Sequence, residues 1–508
     1  MPTSSNTSRI AKNTLLLYFR QILIMLVSLY TVRIVLNVLG AEDYGIYNVV
    51  AGVVTMFGFL SSAMSTATQR YFAFDLGKQD YEHLKTTFSV TVTIYFLLII
   101  VVVIIAETVG LWFINNRLSV PMERLVAAKW IYQFALLSFV FTLLTTPYMS
   151  AIIAHENMNV YAYVSIVEAV LKLALVFVLQ IIDYDKLILY GILMLAVAVI
   201  NTSLYRIYCK RKYDECKLKF IWDRKLFREM LGFTGWTLFG AFTTVARNQA
   251  ITVLFNQFFT PVIVAARSIS LQITNAVGVF STNFNKSLYP PIIKEYSAGN
   301  RDGMYSLLYN GCKMTFFLMW VFSLPIILNM KTILSIWLEE VPEWTVFFSQ
   351  LALIEVLVNS LSMPITVAAR APGRMKTYEL TLGILQLCIF FVSWILFQIG
   401  YDAWVSFVAA IVVNVIMMVV RLVIVRGLVG LPLKQFTVKT ILPISYMAFA
   451  SLSPALLMFF LMPEGVLSSI IQVAISVPLT CIAMYYLGMT AQQRTQTVQM
   501  LKNKLFKE

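Results

Sequence analysis

A chain of 508 residues has room for three soluble domains of about 150 residues each, but its composition excludes them. Hydrophobic residues make up 59% and charged residues 13%, where soluble domains carry about 45–50% and about 25%. The balance of 39 Lys and Arg against 25 Asp and Glu gives +14, which in a membrane chain points to basic cytoplasmic loops or an anionic cargo rather than to nucleic acid.

Apolar runs long enough to cross a bilayer (about 20 residues) are predicted in chain order, beginning with 13–39 and 46–68. The N-terminal residues lack a small-residue cleavage site, so the first run is expected to be a retained helix. It contains Arg20 and Arg33, which are 13 residues apart and so lie about 19 Å apart along a helix, on different faces. A short outer loop is expected at Ala41-Glu42-Asp43-Tyr44. After the second span comes Asp75-Leu76-Gly77-Lys78-Gln79-Asp80-Tyr81, an inner turn. Further spans are predicted at 86–113, 127–150, 159–181 and 186–208. Glu168 and Lys172 sit four apart in the fifth, close enough to pair.

A basic loop near 206–228 follows, with nine Lys and Arg. Beyond it, spans are predicted at 229–259, 262–289, 303–329, 345–368, 375–398 and 402–425, then at 439–461 and 465–488. The seventh carries Arg247 and Asn248, the eighth Arg267 and Asn275, the ninth Lys313, the tenth Glu355 and the eleventh Glu379. Gly77 and Asp80 map onto Gly299 and Asp302 at one offset of 222 residues, with Ser/Thr-rich stretches before both. This indicates a parallel repeat of two six-helix halves.

The fold class is therefore an all-α polytopic membrane protein with about 14 helices. The expected division is an N-terminal lobe at 1–208, a basic linker at 209–228, a C-terminal lobe at 229–425, and two extra helices with a tail at 426–508. Placing the N-terminus inside puts about 26 Lys and Arg in cytoplasmic segments and about five outside, so both termini are expected in the cytoplasm. Five cysteines form no CxxC pair, there are two histidines, and no GxxxxGK[ST] phosphate loop occurs. Metal, redox and ATP-hydrolysing chemistry are not expected.

Charges inside spans are costly and face a bundle interior or an aqueous path. Arg247, Arg267, Lys172, Lys313, Arg20 and Arg33 are the candidate lumen cations, with Asn248 and Asn275 as polar companions. Guanidinium groups suit phosphate through their fork of donors. Glu168, Glu355 and Glu379 are the acidic residues available for ion coupling.

The start of the chain resembles the polysaccharide-exporter branch of the multidrug/oligosaccharidyl-lipid/polysaccharide (MOP) flippase superfamily, in particular bacterial O-antigen flippases and lipopolysaccharide biosynthesis membrane proteins. The resemblance lies in Lys12-Asn13-Thr14, in Arg33-Ile34-Val35-Leu36-Asn37-Val38-Leu39-Gly40, in Asp43-Tyr44-Gly45-Ile46-Tyr47-Asn48, and in Arg70-Tyr71 with Gly77 and Asp80. It implies two six-helix lobes in the bacterial inner membrane. It also implies a secondary transporter, not an enzyme, that moves undecaprenyl-diphosphate-linked oligosaccharide between leaflets by alternating access. The expected partners are that lipid-linked glycan, membrane lipids and polysaccharide assembly proteins. No cofactor is expected, and coupling to protons or sodium is left open. A multidrug-type exporter of the same superfamily, a flippase for lipid-linked peptidoglycan precursor, and a glycan polymerase or ligase are the rival readings.

Overall fold

The computed structural model describes residues 4–495, apart from Met56, 118–120, 218–220, Glu339, Glu464 and Gln492. Both extreme termini, which the charge argument assigns to the cytoplasm, lie outside the described residues. Helices are the only regular elements among those described. In hydrocarbon no water is available to satisfy backbone groups, so apolar spans close their hydrogen bonds within the helix.

The first half of the chain forms α1 (Ser4–Thr55), α2 (Gly58–Lys78), α3 (Tyr81–Ile105), α4 (Leu111–Arg117), α5 (Leu125–Ala154), α6 (Met158–Ile181) and α7 (Lys186–Lys212). The second half forms α8 (Arg224–Phe258), α9 (Pro261–Ser297), α10 (Arg301–Leu328), α11 (Met330–Trp337), α12 (Thr345–Arg370), α13 (Lys376–Ile399) and α14 (Val405–Val429). It ends with α15 (Leu433–Phe436), α16 (Leu442–Leu461) and α17 (Val466–Ala483). Twelve helical segments among the described residues are long and apolar enough to cross a membrane, and a pair bent by 45° near residue 56 makes thirteen. The remaining expected span, 229–259, is α8. It is a continuous helix of 35 residues, but Thr243, Thr244, Arg247, Asn248 and Gln249 interrupt its apolar pattern, and it is not among the thirteen.

The expected outer loop at Ala41–Tyr44 is not a loop. Gly40 is non-helical (φ 76°, ψ 168°) and breaks α1 into two helices, so the first membrane-length segment ends at Gly40 and the helix resumes directly after it. A left-handed φ carries no Cβ penalty at glycine. A second break, a bend of 45° between the helices that end at Val54 and begin at Gly58, falls inside the expected span 46–68. A π-helical stretch, Ala106–Gly110, joins α3 to α4. The Ala106 carbonyl accepts both the Leu111 N–H and the Tyr132 hydroxyl, the latter at 2.6 Å. A Cβ at Gly110 would collide with that hydroxyl, so a larger residue there must displace the Tyr132 side chain.

The chain divides into two compact units, an N-terminal one of Lys12–Leu238 and a C-terminal one from Phe239 onward that also takes the first residues of α1. In the N-terminal unit α2 packs on α3 and α5, α3 on α5, α5 on α7, and α6 on α7. In the C-terminal unit α9 packs on α10 and α12, α10 on α12, α12 on α14, and α13 on α14. The two patterns coincide when α2, α3, α5, α6 and α7 are matched to α9, α10, α12, α13 and α14. The C-terminal α16 and α17 pack on each other and on α10.

The turns give the register of the repeat and correct the offset of 222. Gln79 (φ 59°) and Gly299 (φ 77°) are the left-handed residues that end α2 and α9, 220 residues apart. Asp80 and Asn300 then cap α3 and α10 by accepting from the backbone N–H of His83 and of Gly303, each at 3.0 Å. The Asp80 N–H bonds Asp75 O, and the Asn300 N–H bonds Glu295 O, again in the same register. Gly77 and Gly299 are therefore not equivalent. At the turns after α5 and α12, Glu156 (φ 62°) matches Gly373 (φ 80°), 217 residues apart. At that offset Pro147 within α5 matches Pro364 within α12.

Candidate functional site

The C-terminal unit brings three of the expected charges together. Arg247 on α8 reaches Glu355 on α12, with Nη1 3.0 Å from Oε1, and the two side chains are only 13% and 15% exposed. Glu355 Oε1 also accepts from Asn414 Nδ2 on α14 at 3.1 Å. Asn248 Oδ1 accepts from Arg247 Nη2 at 2.9 Å and Nε at 3.2 Å. On α13 the Gln386 amide oxygen faces the same guanidinium, accepting from Nε at 3.1 Å and Nη1 at 3.2 Å. The opposite amide orientation would set its NH2 against those donors.

Arg267 on α9 is buried beside this pair. Its Nη1 donates to Thr252 Oγ1 at 2.7 Å and its Nη2 to Asn248 O at 3.5 Å, while the guanidinium lies 5.1 Å from the Phe255 ring centroid. Arg247 and Glu355 both act electrostatically on Arg267. Asn248 thus joins the two guanidinium groups, its side chain to one and its carbonyl to the other. The cluster holds two permanent cations and one carboxylate. Asn275, two turns further along α9, is exposed.

Glu379, at the start of α13, is buried apart from that cluster. Arg370 and Arg421 are the cations that act on it. Its carboxylate lies against Gly240 of α8, where a Cβ would come within 2.0 Å of Oε2. Lys313 on α10 is buried and donates to Gly488 O and Gln493 Oε1, both at 3.3 Å. It ties α10 to the segment after α17.

In the N-terminal unit Lys172 Nζ donates to Glu168 Oε1 at 2.7 Å on the same helix, and Asn201 Nδ2 donates to Glu168 Oε2 at 3.1 Å. These side chains are 40% and 31% exposed, so the pair is half solvated. Arg20 is buried, 4.7 Å from the Tyr161 ring centroid, and donates to Ser165 Oγ at 3.4 Å and Gln21 Oε1 at 3.3 Å. Arg33 is exposed.

The residues that carry the family resemblance hold the N-terminal unit together. Asn13 donates to Glu156 O in the α5–α6 turn. Asp43 pairs with Arg124 at 2.8 Å, and the same arginine pairs with Asp185 at 2.7 Å. Asp185 also caps α7 by accepting from the N–H groups of Leu187 and Ile188. Arg70 is buried against the rings of Tyr71, Phe74 and Phe233. Gln386, Asn414 and Thr252 were not among the expected site residues. The signal for two of them was present, since Gln386 and Asn414 are amides near the middle of predicted spans.

A family model described as polysaccharide biosynthesis protein matches residues 10–296, more than half of the chain, and a second, MatE, matches 237–395. Solved structures with the same fold include MATE in the bent conformation, with a TM-score of 0.74, 11% identity, and coverage of 83% of this chain and 96% of that one. Another is an outward-facing multidrug resistance MATE family transporter of the MOP superfamily, with a TM-score of 0.73, 12% identity, and coverage of 84% and 96%. A eukaryotic MATE transporter matches with a TM-score of 0.62, 13% identity, and coverage of 84% and 97%. At these identities the likeness is one of fold. No curated protein matches the chain.

The fold is that of the MATE transporters, built in a multi-pass membrane protein with twelve or thirteen membrane-length helical segments among the described residues. Within that class, the chain belongs to the polysaccharide biosynthesis protein family.

Proposed function

We propose that the cargo is an anionic lipid-linked glycan, an undecaprenyl-diphosphate-linked oligosaccharide moved from the cytoplasmic to the outer leaflet for O-antigen or another surface polysaccharide. The observation that carries this reading is the pair of guanidinium groups, Arg247 and Arg267, joined through Asn248 and balanced by the single carboxylate of Glu355. A diphosphate cannot enter hydrocarbon without replacement partners, and arginine forks supply them in a fixed geometry. On the outer leaflet the glycan becomes the substrate of polysaccharide assembly proteins. Glu168, Glu355 and Glu379 are the carboxylates through which a proton or sodium gradient would act.

A second reading is favoured by the comparisons: a multidrug exporter of the same superfamily. MatE matches 237–395, and the solved structures of similar fold are MATE transporters. A cationic drug needs an uncompensated carboxylate, whereas Glu355 is already neutralised by Arg247. One experiment separates the two. Purified protein in liposomes is given a fluorescent lipid-diphosphate oligosaccharide in one arm and a cationic dye in the other. Protein-dependent leaflet exchange of the glycolipid is expected, and Arg267→Ala abolishes it. Dye efflux without glycolipid exchange overturns the proposal.

A further inference from the structure

We infer that Glu355 is an internal stand-in for the cargo's phosphate. It holds Arg247 in the empty transporter, and the anionic head group must displace it. This rests on the anionic-cargo reading above and adds a residue that sets how tightly that cargo is held and how readily it leaves.

The geometry around Arg247 is that of an anion site with an occupant. Four elements converge on it or on its partner: α8 with Arg247 and Asn248, α12 with Glu355, α13 with Gln386 and α14 with Asn414. The next cation, Arg267, comes from α9 and has hydroxyl and carbonyl partners. Of the groups named, Glu355 is the only anion. Its grip on Arg247 is a single contact, Nη1 to Oε1, and not the two parallel bonds that a guanidinium makes to a well-fitted carboxylate. The diphosphate of a lipid-linked glycan offers two non-bridging oxygens on each phosphorus to the same fork and to Arg267.

Glu355 does not become a bare charge when it is displaced. Asn414 Nδ2 donates to Oε1 at 3.1 Å, and that amide is itself fixed by donating to Ala410 O at 2.8 Å. Arg267 also acts on the carboxylate. The exchange is therefore one anion for another at Arg247, with Glu355 held nearby to return. An internal competitor lowers apparent affinity by the fraction of sites it occupies. A transporter benefits from this, because its cargo must bind firmly enough to enter and weakly enough to leave.

The test measures binding of undecaprenyl diphosphate to the full chain in nanodiscs. Wild type, Arg247→Ala, Glu355→Gln and Glu355→Asp are compared, with thermal melting to confirm folding. Glu355→Gln is expected to tighten binding about tenfold and to slow leaflet exchange by a similar factor. Should Glu355→Gln fail to fold, Glu355→Asp carries the test. It keeps the charge but withdraws it by one methylene, and it is expected to tighten binding about threefold. Binding by wild type that Glu355→Gln leaves equal or weaker overturns the inference and leaves the anionic-cargo reading standing. Binding by Glu355→Gln alone supports the inference, because the occupant then masks the wild-type site. Binding by neither protein, or binding that Arg247→Ala does not weaken, overturns both.

Discussion

In the N-terminal unit, Glu168 and Lys172 neutralise each other within one helix, four residues apart and 31% and 40% exposed. In the C-terminal unit, Arg247 and Glu355 meet from α8 and α12, only 13% and 15% exposed, with amides from α13 and α14 around them and Arg267 left without a carboxylate of its own. A pair closed on one helix needs no tertiary structure and offers a ligand little. A pair assembled from separate helices depends on how the bundle packs, and the extra guanidinium beside it gives an anion a reason to bind. The same kind of residue, a charge within a span, is thus closed locally in one unit and assembled across helices in the other.

The largest effect is expected from breaking the cross-helix pair. Arg247→Ala leaves Glu355 buried without its cation and should lower stability by about 3–5 kcal/mol. Arg247→Ala with Glu355→Leu should recover most of that loss in thermal melts. A single variant as stable as the double one would erase the contrast between the units. Next comes Arg124→Ala, which deprives the buried Asp43 and the half-buried Asp185 of a shared partner. It should cost about 1–3 kcal/mol. A smaller change of opposite sign is expected at the inner turn. Gln79→Gly replaces a left-handed, exposed glutamine with the residue found at its repeat partner Gly299 and should add up to about 1 kcal/mol. The smallest effect is Lys172→Ala, about 0.3–0.5 kcal/mol, since its pair is half exposed and local.

The lengths of the apolar runs located the long helices, because a run of 20 or more apolar residues has few alternatives in a bilayer. They placed the first break correctly, at the end of span 13–39, but the helical Ala41-Glu42-Asp43-Tyr44 looks like a polar loop. Asp43 instead pairs with Arg124, and only Gly40 departs from helical angles. The repeat was legible as similar words, but its register was not. Glycine in Gly77 suggested the left-handed site, whereas the backbone places that conformation at Gln79. Charge placement picked out Arg247, Arg267 and Glu355 individually. Their association was not legible, because three helices separated by up to 108 residues must pack before they meet. Lys313 shows the converse case. It is a buried cation like the others, but its partners lie in the segment after α17.

The central claim is that the C-terminal cluster recognises an anionic head group while the N-terminal pair only balances charge. It is tested most directly by leaflet exchange of a fluorescent lipid-diphosphate oligosaccharide in liposomes, with Arg267→Ala and Lys172→Ala compared at equal reconstitution. The account predicts a loss of at least about tenfold for Arg267→Ala, equivalent to about 1.4 kcal/mol, and near wild-type exchange for Lys172→Ala. Full exchange by Arg267→Ala together with loss in Lys172→Ala would contradict it.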